Sequence, residues 1–402
     1  MSTAAAGRRT PAPRPRVVAI DVIRGLAIIG MIWAHARILV EGALPDGLLS
    51  AVSALSGAAT PLFMFTAGSS IALLTAQTMG RAERSRFRLE YALRGLALIL
   101  LGLALSQTTS HVDVVLSYLG MTFLAALPFL FLRSRWLLVS AALVFAAAPP
   151  AVDAVRALFA GHPALLNPQV SGHPLAYVLE WLFTGRAYHV TWLLPFLLVG
   201  IVLSRHVRNS GVRCAALTAG GLVVTVIAWV LVGRQDAAGG MVRGGYPEML
   251  YDLGRALAVY GAAALLVDSR AARLRRGARV LCAPLTLVGR MPLTIYVLHV
   301  PLLTWFLHAL PGMAFWQQAG TAAHVLVLLL FFAVCLLFAA AWGLTLGTGP
   351  VERVLGVVSL RHPPAWALLV RPVRAEGLGV EATDRDGQET RTQRGNTLNE
   401  RR

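Results

Sequence analysis

VVAIDVIRGLAIIGMIWAHARILV, residues 17–40, is an apolar run long enough to cross a bilayer as one helix. Asp21, Arg24 and His35 lie inside it, and such side chains are costly in a membrane and mark candidate functional sites. Asp21 can pair with Arg24 one turn away. Eleven positions separate Arg24 from His35, almost three turns, so both side chains leave the same helix face. The run therefore predicts a polar stripe with a cation and an acid–base group roughly 16 Å apart along the helix axis.

The composition is that of a polytopic membrane protein. Of the 402 residues, 56% are hydrophobic and 14% are charged, with a mean hydropathy of +0.65, whereas soluble domains are about a quarter charged. The net charge of +17 comes from arginine, since the chain has no lysine, and about half of the 36 arginines fall in the gaps between apolar segments. Positive-inside bias explains this pattern better than nucleic-acid binding does, and lysine Schiff-base chemistry is excluded.

Ten apolar windows predict an all-α polytopic bundle of about ten transmembrane helices. They cover residues 17–40, 58–78, 91–109, 114–132, 136–152, 190–204, 214–232, 249–267, 288–309 and 321–346. We expect the first run to be a retained anchor, because it is too long for a signal peptide and lacks a small-residue cleavage site. The prediction divides the chain into a basic tail (1–16), a membrane domain (17–355) and a polar, disordered tail (356–402).

The charges of the gaps predict an orientation. Arginines concentrate in alternate gaps, at residues 81–88, 133–135, 205–213 and 270–279. The positive-inside rule places these gaps and both termini in the cytoplasm. The remaining gaps then face outward. Within the longest of these, 153–189, an apolar stretch at 175–183 is expected to form a re-entrant or interfacial helix over a cavity.

The polar residues of the first helix allow functional and structural interpretations. Arg24 suits the phosphates of a cytoplasmic cofactor, because its guanidinium matches phosphate oxygens, but it could also snorkel to the headgroups beside Asp21. His35 could take a proton from an acceptor hydroxyl or amine, or carry a transferred group itself. Alternatively it is a structural histidine that hydrogen bonds across helices. These alternatives stay open from the sequence.

The second helix contains PLFMFTAGSSI, residues 61–71. Its small residues either let another backbone pack closely or place the hydroxyls of Ser69 and Ser70 beside the first helix as hydrogen-bond donors to a ligand. In the eighth window Asp252 and Arg255 lie one turn apart. They either pair with each other or face the same polar cavity.

The ninth window begins VGRMPLTIYVLH, residues 288–299. Arg290 and the following proline mark a helix start at the cytoplasmic edge. His299 lies two and a half turns into the helix, at membrane depth, where packing and substrate contact are both open.

Motifs for several other chemistries are missing from the sequence. The three cysteines form no CxxC pair, and the histidines between residues 153 and 189 are too irregularly spaced to predict a metal site. The chain also lacks a phosphate loop, a dinucleotide fingerprint, a Gly-x-Ser-x-Gly elbow and a His-Glu-x-x-His motif. We therefore predict no metal and no nucleotide hydrolysis.

These segments resemble the transmembrane acyltransferase superfamily. AIDVIRGLAIIGM, residues 19–31, is similar to the opening helix of the heparan-alpha-glucosaminide N-acetyltransferase family and its bacterial relatives, and residues 61–71 resemble the second helix of that family. Arg24 and His35 match the Arg-x10-His motif of the related acyltransferase family three, in which the histidine is taken as catalytic. Residues 288–299 and 349–352 are similar to uncharacterised bacterial members.

The resemblance implies a membrane O- or N-acyltransferase with acyl-CoA, in the first instance acetyl-CoA, as donor and a sugar or glycolipid as acceptor at the outer face. Together with the residue patterns it assigns His35 as catalytic, Arg24, Ser69, Ser70 and Arg290 to cofactor binding, and Asp252, Arg255 and His299 to substrate binding. The expected partners are the bilayer of the cell membrane, the donor and the acceptor, and a homodimer is an open option.

One departure from the resemblance leaves an alternative open. In the heparan enzymes the catalytic histidine belongs to the loop after the first helix, and the corresponding stretch here, 41–57, contains no histidine. Either His35 takes over that role or this branch has changed its chemistry. The alternative function is a transporter or flippase for an anionic or lipid-linked substrate, and a structural or signalling membrane protein is the third possibility.

Overall fold

A computed structural model describes residues 17–76, 79–109, 112–207, 210–237, 245–310 and 319–360. The described residues are helices and short connections, without strands. The helices are α1 (Val18–Ala36), α2 (Asp46–Ser56), α3 (Ala59–Leu74), α4 (Arg81–Ser106), α5 (Leu116–Ala126), α6 (Ser134–Leu158), α7 (Pro168–Ser171), α8 (Pro174–Leu179), α9 (Val190–His206), α10 (Gly211–Ala237), α11 (Tyr246–Val267), α12 (Ala272–Leu281), α13 (Ala283–Arg290), α14 (Pro292–Ala309), α15 (Thr321–Thr345) and α16 (Pro350–Val358). The tail 1–16 and residues 361–402 lie outside this description.

Every predicted apolar window contains a helix. In the described part of the chain seven helices are long and apolar enough to cross a membrane, and α3, α5 and α9 are shorter apolar helices. The all-α polytopic prediction is confirmed, and the protein is an integral membrane protein. One window, 288–309, is divided between α13 and α14, because Pro292 cannot continue a helix from its N-terminal side and starts a new one.

Helix α1 packs mainly on α13 and α3, and also contacts α11, α14 and α2. Its contact with α13 is backbone to backbone: a Cβ added at Gly25 would overlap the carbonyl oxygen of Leu285, and one at Gly289 would overlap that of Asp21. Two glycines are therefore required for α13 to approach α1 beside Arg24.

Two local elements refine the predicted connections. The stretch 41–57, expected only as a loop, contains the helix α2. The apolar stretch at 175–183 is helical, as expected, but it consists of α8 followed by a π-helical turn, Glu180–Thr184. The backbone that reaches the cavity described below comes after this turn, at residues 185–189.

Candidate functional site

A large polar cavity lies at the end of α1 that carries His35, which we call the His35 end. Its volume is about 1330 Å³, and its deepest α1 residue is the buried Met31. Its walls include the C-terminal end of α6 and the segments that follow α1 and α2. The segments that precede α5, α9 and α11 complete the lining. All of these are connections that the arginine distribution predicts to face outward. Opposite charges line the cavity: Glu41, Asp113, Asp153, Glu248 and Asp252 against Arg37, Arg156, Arg186 and Arg255.

His35 lines this cavity and contacts a second histidine behind it. Nδ1 of His35 lies 2.9 Å from Nε2 of His299, which is fully buried and is not among the residues lining the cavity. Nδ1 of His299 lies 3.2 Å from the carbonyl oxygen of Ile295. The structure therefore brings together a predicted catalytic residue and a predicted substrate-binding residue. His299 is therefore linked to the cavity through its contact with His35.

Tyr296 supports the two histidines from the side. Its ring meets both imidazoles edge-on, with centroid distances of 6.3 Å to His35 and 5.0 Å to His299. Its hydroxyl accepts a hydrogen bond from the backbone N–H of Val115 at 3.0 Å. Tyr296 was not among the residues predicted from sequence, although its spacing of three residues from His299 puts both on one helix face.

Asp252 and Arg255 line the same cavity and form an ion pair within α11. The guanidinium of Arg255 also lies over the ring of Tyr251, 4.1 Å from its centroid. Side-chain atoms of Arg255 would meet a Cβ placed at Gly57, so the arginine passes directly beneath the backbone that joins α2 to α3. The two sequence alternatives, pairing and facing the cavity, are thus both realised.

A third histidine, His189, lines the cavity at the start of α9 and was not assigned to the site from sequence. Its Nδ1 lies 2.7 Å from Oγ1 of Thr191, which donates to the carbonyl of Leu182 at 3.2 Å. Burial, and secondarily the charge of Arg156, lower the pKa of His189 from 6.5 to about 4. His189 is therefore a neutral imidazole at physiological pH.

At the opposite end of α1, which we call the Arg24 end, hydrogen bonds connect α1 to neighbouring helices. Nη1 of Arg24 donates to Oδ1 of Asp21 at 3.4 Å and to the carbonyl of Gly289 at 3.3 Å, and Nη2 donates to Oγ of Ser70 at 2.7 Å. The side chain of Arg24 is 19% exposed. Arg24 thus joins α1, α3 and α13 through charge-assisted hydrogen bonds.

The other residues expected to bind a cofactor divide between two environments. Arg290 follows the Gly289 carbonyl that Arg24 contacts, at the C-terminal end of α13. Ser69 is directed away from Arg24: its hydroxyl is buried between the carbonyl of Gly200, at 3.2 Å, and the hydroxyl of Tyr260, at 3.1 Å. Successive helix residues are rotated by about 100°, so Ser69 and Ser70 cannot face the same partner. This position makes Ser69 a packing residue between α3, α9 and α11.

Apolar side chains separate the two ends of the predicted stripe. Ile28 and Met31 occupy the face of α1 between Arg24 and His35, and both are buried. The described cavity reaches Met31 but is not lined by Arg24 or Ser70. The stripe expected from sequence therefore exists as two polar sites joined by a closed apolar segment, because the intervening positions carry large hydrophobic side chains that pack in the core.

Glu352 fixes the position of α14. Its Oε1 accepts the backbone N–H groups of Leu293 and Thr294 at 2.7 and 3.1 Å, and its Oε2 accepts the Thr294 hydroxyl at 2.5 Å. A carboxylate at a helix N-terminus satisfies free donors and complements the helix dipole. The sequence showed Glu352 within a family-like motif, but no spacing rule connects residue 352 to residue 293.

The described residues thus form a polytopic helical membrane protein with a histidine pair at a polar cavity. In the part of the chain that the structure describes, no group of three or more His, Cys, Asp or Glu side chains could hold a metal ion. A comparison with protein-family models matches residues 17–342 to the family described as acyltransferase domain. Since this match covers most of the chain, the protein belongs to that family of transmembrane acyltransferases. No curated protein matches it.

Proposed function

We propose that this protein transfers an acyl group from cytoplasmic acyl-CoA to a sugar or glycolipid acceptor at the outer face of the cell membrane. The observation that carries the proposal is His35, a histidine in the membrane bundle of an acyltransferase-family protein that lines a large polar cavity. Arg24, at the opposite end of the same helix, supports a donor site on the other side. His35 is the general base or acyl carrier of this reaction.

The Arg24 end is suited to the donor because it combines guanidinium groups with a basic surface. Arg290 lies next to the carbonyl that Arg24 contacts, and α12 nearby in the chain exposes several arginines. Guanidinium groups match the phosphate oxygens of a coenzyme A thioester. Acetyl-CoA is the simplest such donor. Its acyl arm reaches His35 only when the side chains of Ile28 and Met31 move aside.

The His35 end is suited to a polyhydroxylated acceptor. Its volume of about 1330 Å³ exceeds the roughly 300–1,000 Å³ of pockets for drug-sized ligands, so it accommodates more than one sugar unit. Carboxylates and guanidinium groups in similar number offer both acceptors and donors to hydroxyl groups. Resemblance to the heparan-alpha-glucosaminide N-acetyltransferase family further supports a glycan acceptor, with Asp252 and Arg255 in the wall of its site.

The test is acyl transfer by purified protein in detergent with radiolabelled acetyl-CoA and envelope glycans from cells that lack the gene. We expect label to be transferred to glycan by the unaltered protein and by the control His308→Ala, which changes an exposed histidine of α14. His35→Ala should abolish transfer. Binding of donor without any release of its acyl group would favour the transporter alternative instead. Full transfer activity of His35→Ala would show that His35 is neither the general base nor the acyl carrier.

A further inference from the structure

The contact between His35 and His299 is an in-plane hydrogen bond. The two ring planes differ by 4°, and the ring centroids are 5.2 Å apart while Nδ1 of His35 and Nε2 of His299 are 2.9 Å apart. The centroid distance exceeds the nitrogen–nitrogen distance by about 2.3 Å, which equals twice the distance from the centre of an imidazole ring to one of its atoms. Both nitrogens therefore lie on the line that joins the two ring centroids. This is the near-linear geometry that hydrogen bonds prefer. Face-to-face stacking would leave no room for this bond.

The protein backbone fixes which nitrogen of His299 carries its proton. The carbonyl oxygen of Ile295 can only accept, so Nδ1 of His299, 3.2 Å away, is the donor. His299 is fully buried in the helix bundle, where a neutral imidazole costs far less than a charged one. A neutral imidazole protonated at Nδ1 has a lone pair at Nε2.

That lone pair determines the tautomer of His35. Because Nε2 of His299 accepts, Nδ1 of His35 must carry the hydrogen that lies between them. The second nitrogen of His35, Nε2, then holds a lone pair. Since His299 takes up the Nδ1 side and His35 lines the cavity, Nε2 is the ring nitrogen available to a cavity ligand.

We infer that His299 is a positioning residue that holds His35 as the Nδ1-protonated tautomer, with Nε2 presented to the acceptor as a general base. This inference rests on the proposed function. In the reaction, the O–H or N–H bond of the acceptor breaks and its proton moves to Nε2 of His35. The acceptor atom bonds to the acyl carbonyl carbon, the carbon–sulfur bond breaks, and the coenzyme A thiolate takes the proton from Nε2. Throughout, Nδ1 keeps its hydrogen and donates to His299.

The test compares His299→Leu with His299→Gln in the full-length protein. Leucine fills most of the volume but cannot accept, whereas the carboxamide oxygen of glutamine can accept from Nδ1 of His35. We expect His299→Leu to lower kcat about 100-fold with the KM values of donor and acceptor nearly unchanged, and His299→Gln to recover at least a tenth of the lost rate. His308→Leu on the exposed side of α14 is the matched control.

Two results would overturn the inference: wild-type kcat in His299→Leu, or equal loss in the leucine and glutamine variants when both have the thermal stability of the unaltered protein. If His299→Leu unfolds, His299→Asn takes its place in the comparison. The carboxamide of asparagine is shorter, so this variant should recover less activity than His299→Gln. If either overturning result is obtained while His35→Ala still loses activity, only the inference about His299 fails and the proposed function stands. If His35→Ala remains active, the catalytic role that the proposed function gives to His35 fails with it.

Discussion

The two ends of α1 present equally conspicuous polar residues in sequence but different environments in the structure. At the Arg24 end, the guanidinium contacts groups on three helices and its side chain is 19% exposed. At the His35 end, the imidazole borders a cavity of about 1330 Å³ and has a buried partner on α14. The first arrangement suits binding of a charged group, and the second suits proton transfer.

Between the two ends the same helix face is apolar. Ile28 and Met31 fill the positions that would have to open for an acyl group to move from one end to the other. Helical spacing therefore predicts the direction in which the polar side chains point, but not whether the space in front of them is continuous. The two ends can be tested separately, because each should control a different kinetic constant.

Removing the imidazole should have the largest effect. His35→Gln should lower kcat by about 10³-fold, since general base catalysis contributes roughly 10²–10⁴-fold, while the dissociation constant for acetyl-CoA stays unchanged. Transfer rates and isothermal titration with the donor measure the two quantities. If His35→Gln weakens donor binding as much as it lowers the rate, donor binding and proton transfer are not assigned to separate ends of α1.

Removing the guanidinium should show the opposite pattern. Arg24→Gln should raise the KM for the donor at least tenfold with a smaller change in kcat, because a charge-assisted contact to phosphate is lost. Arg86→Gln, which alters an exposed arginine paired with Glu90, is the matched control and should leave both constants unchanged. An unchanged donor KM in a stably folded Arg24→Gln protein would contradict a donor site at this end.

A larger side chain in the apolar segment between Arg24 and His35 should slow acyl transfer. Met31→Trp should reduce transfer severalfold with donor binding retained, because the larger side chain obstructs movement between Arg24 and His35. It should also cost about 1–3 kcal/mol of stability through overpacking. Met31→Leu, which nearly conserves volume, is the control. Equal transfer rates in the two variants would show that the acyl group takes another route.

Glu352, which caps the N-terminus of α14, should contribute to the stability of the whole protein. Glu352→Ala should destabilise the protein by about 3 kcal/mol, because two backbone N–H groups and the Thr294 hydroxyl lose a charged acceptor. Glu83→Ala is the control: Glu83 accepts the N–H of Gly80 at an exposed helix start and should cost much less. Thermal unfolding in detergent measures the difference, and equal losses would contradict the structural role of Glu352.

The last prediction concerns the dependence of stability on pH. His189 has a pKa of about 4 when folded and 6.5 ordinarily, so below pH 6.5 the unfolded state binds more protons and stability falls as the pH drops towards 4. At pH 5 this single group should cost about 2 kcal/mol relative to pH 8. Unfolding of His189→Gln should depend less on pH over this range. A pH dependence as steep as that of the unaltered protein would show that His189 does not remain neutral.

Local patterns predicted much of this molecule. The ten apolar windows and the pairs Asp21–Arg24 and Asp252–Arg255 follow from hydropathy and from spacing within one helix, and the structure shows each of them. The contact between His35 and His299 joins residues 264 positions apart, so no periodicity contains it.

Other features depended on packing between helices. Ser69 and its neighbour look equivalent in sequence, and only the position of α9 and α11 makes Ser69 a buried packing residue. The closed segment at Ile28 and Met31 likewise results from helices that surround α1. Helical spacing predicts which residues share a face, whereas tertiary packing determines what that face meets.

The proposed donor site and the proposed acceptor cavity lie at opposite ends of α1, which the arginine distribution predicts to face opposite sides of the membrane. The most direct measurement uses right-side-out membrane vesicles with radiolabelled acetyl-CoA enclosed inside. We expect labelled acyl groups to appear on glycan that is accessible from outside, and we expect His35→Gln vesicles to retain the donor unchanged. Label that appears only when acetyl-CoA is added outside would show that the donor does not bind from the cytoplasmic side.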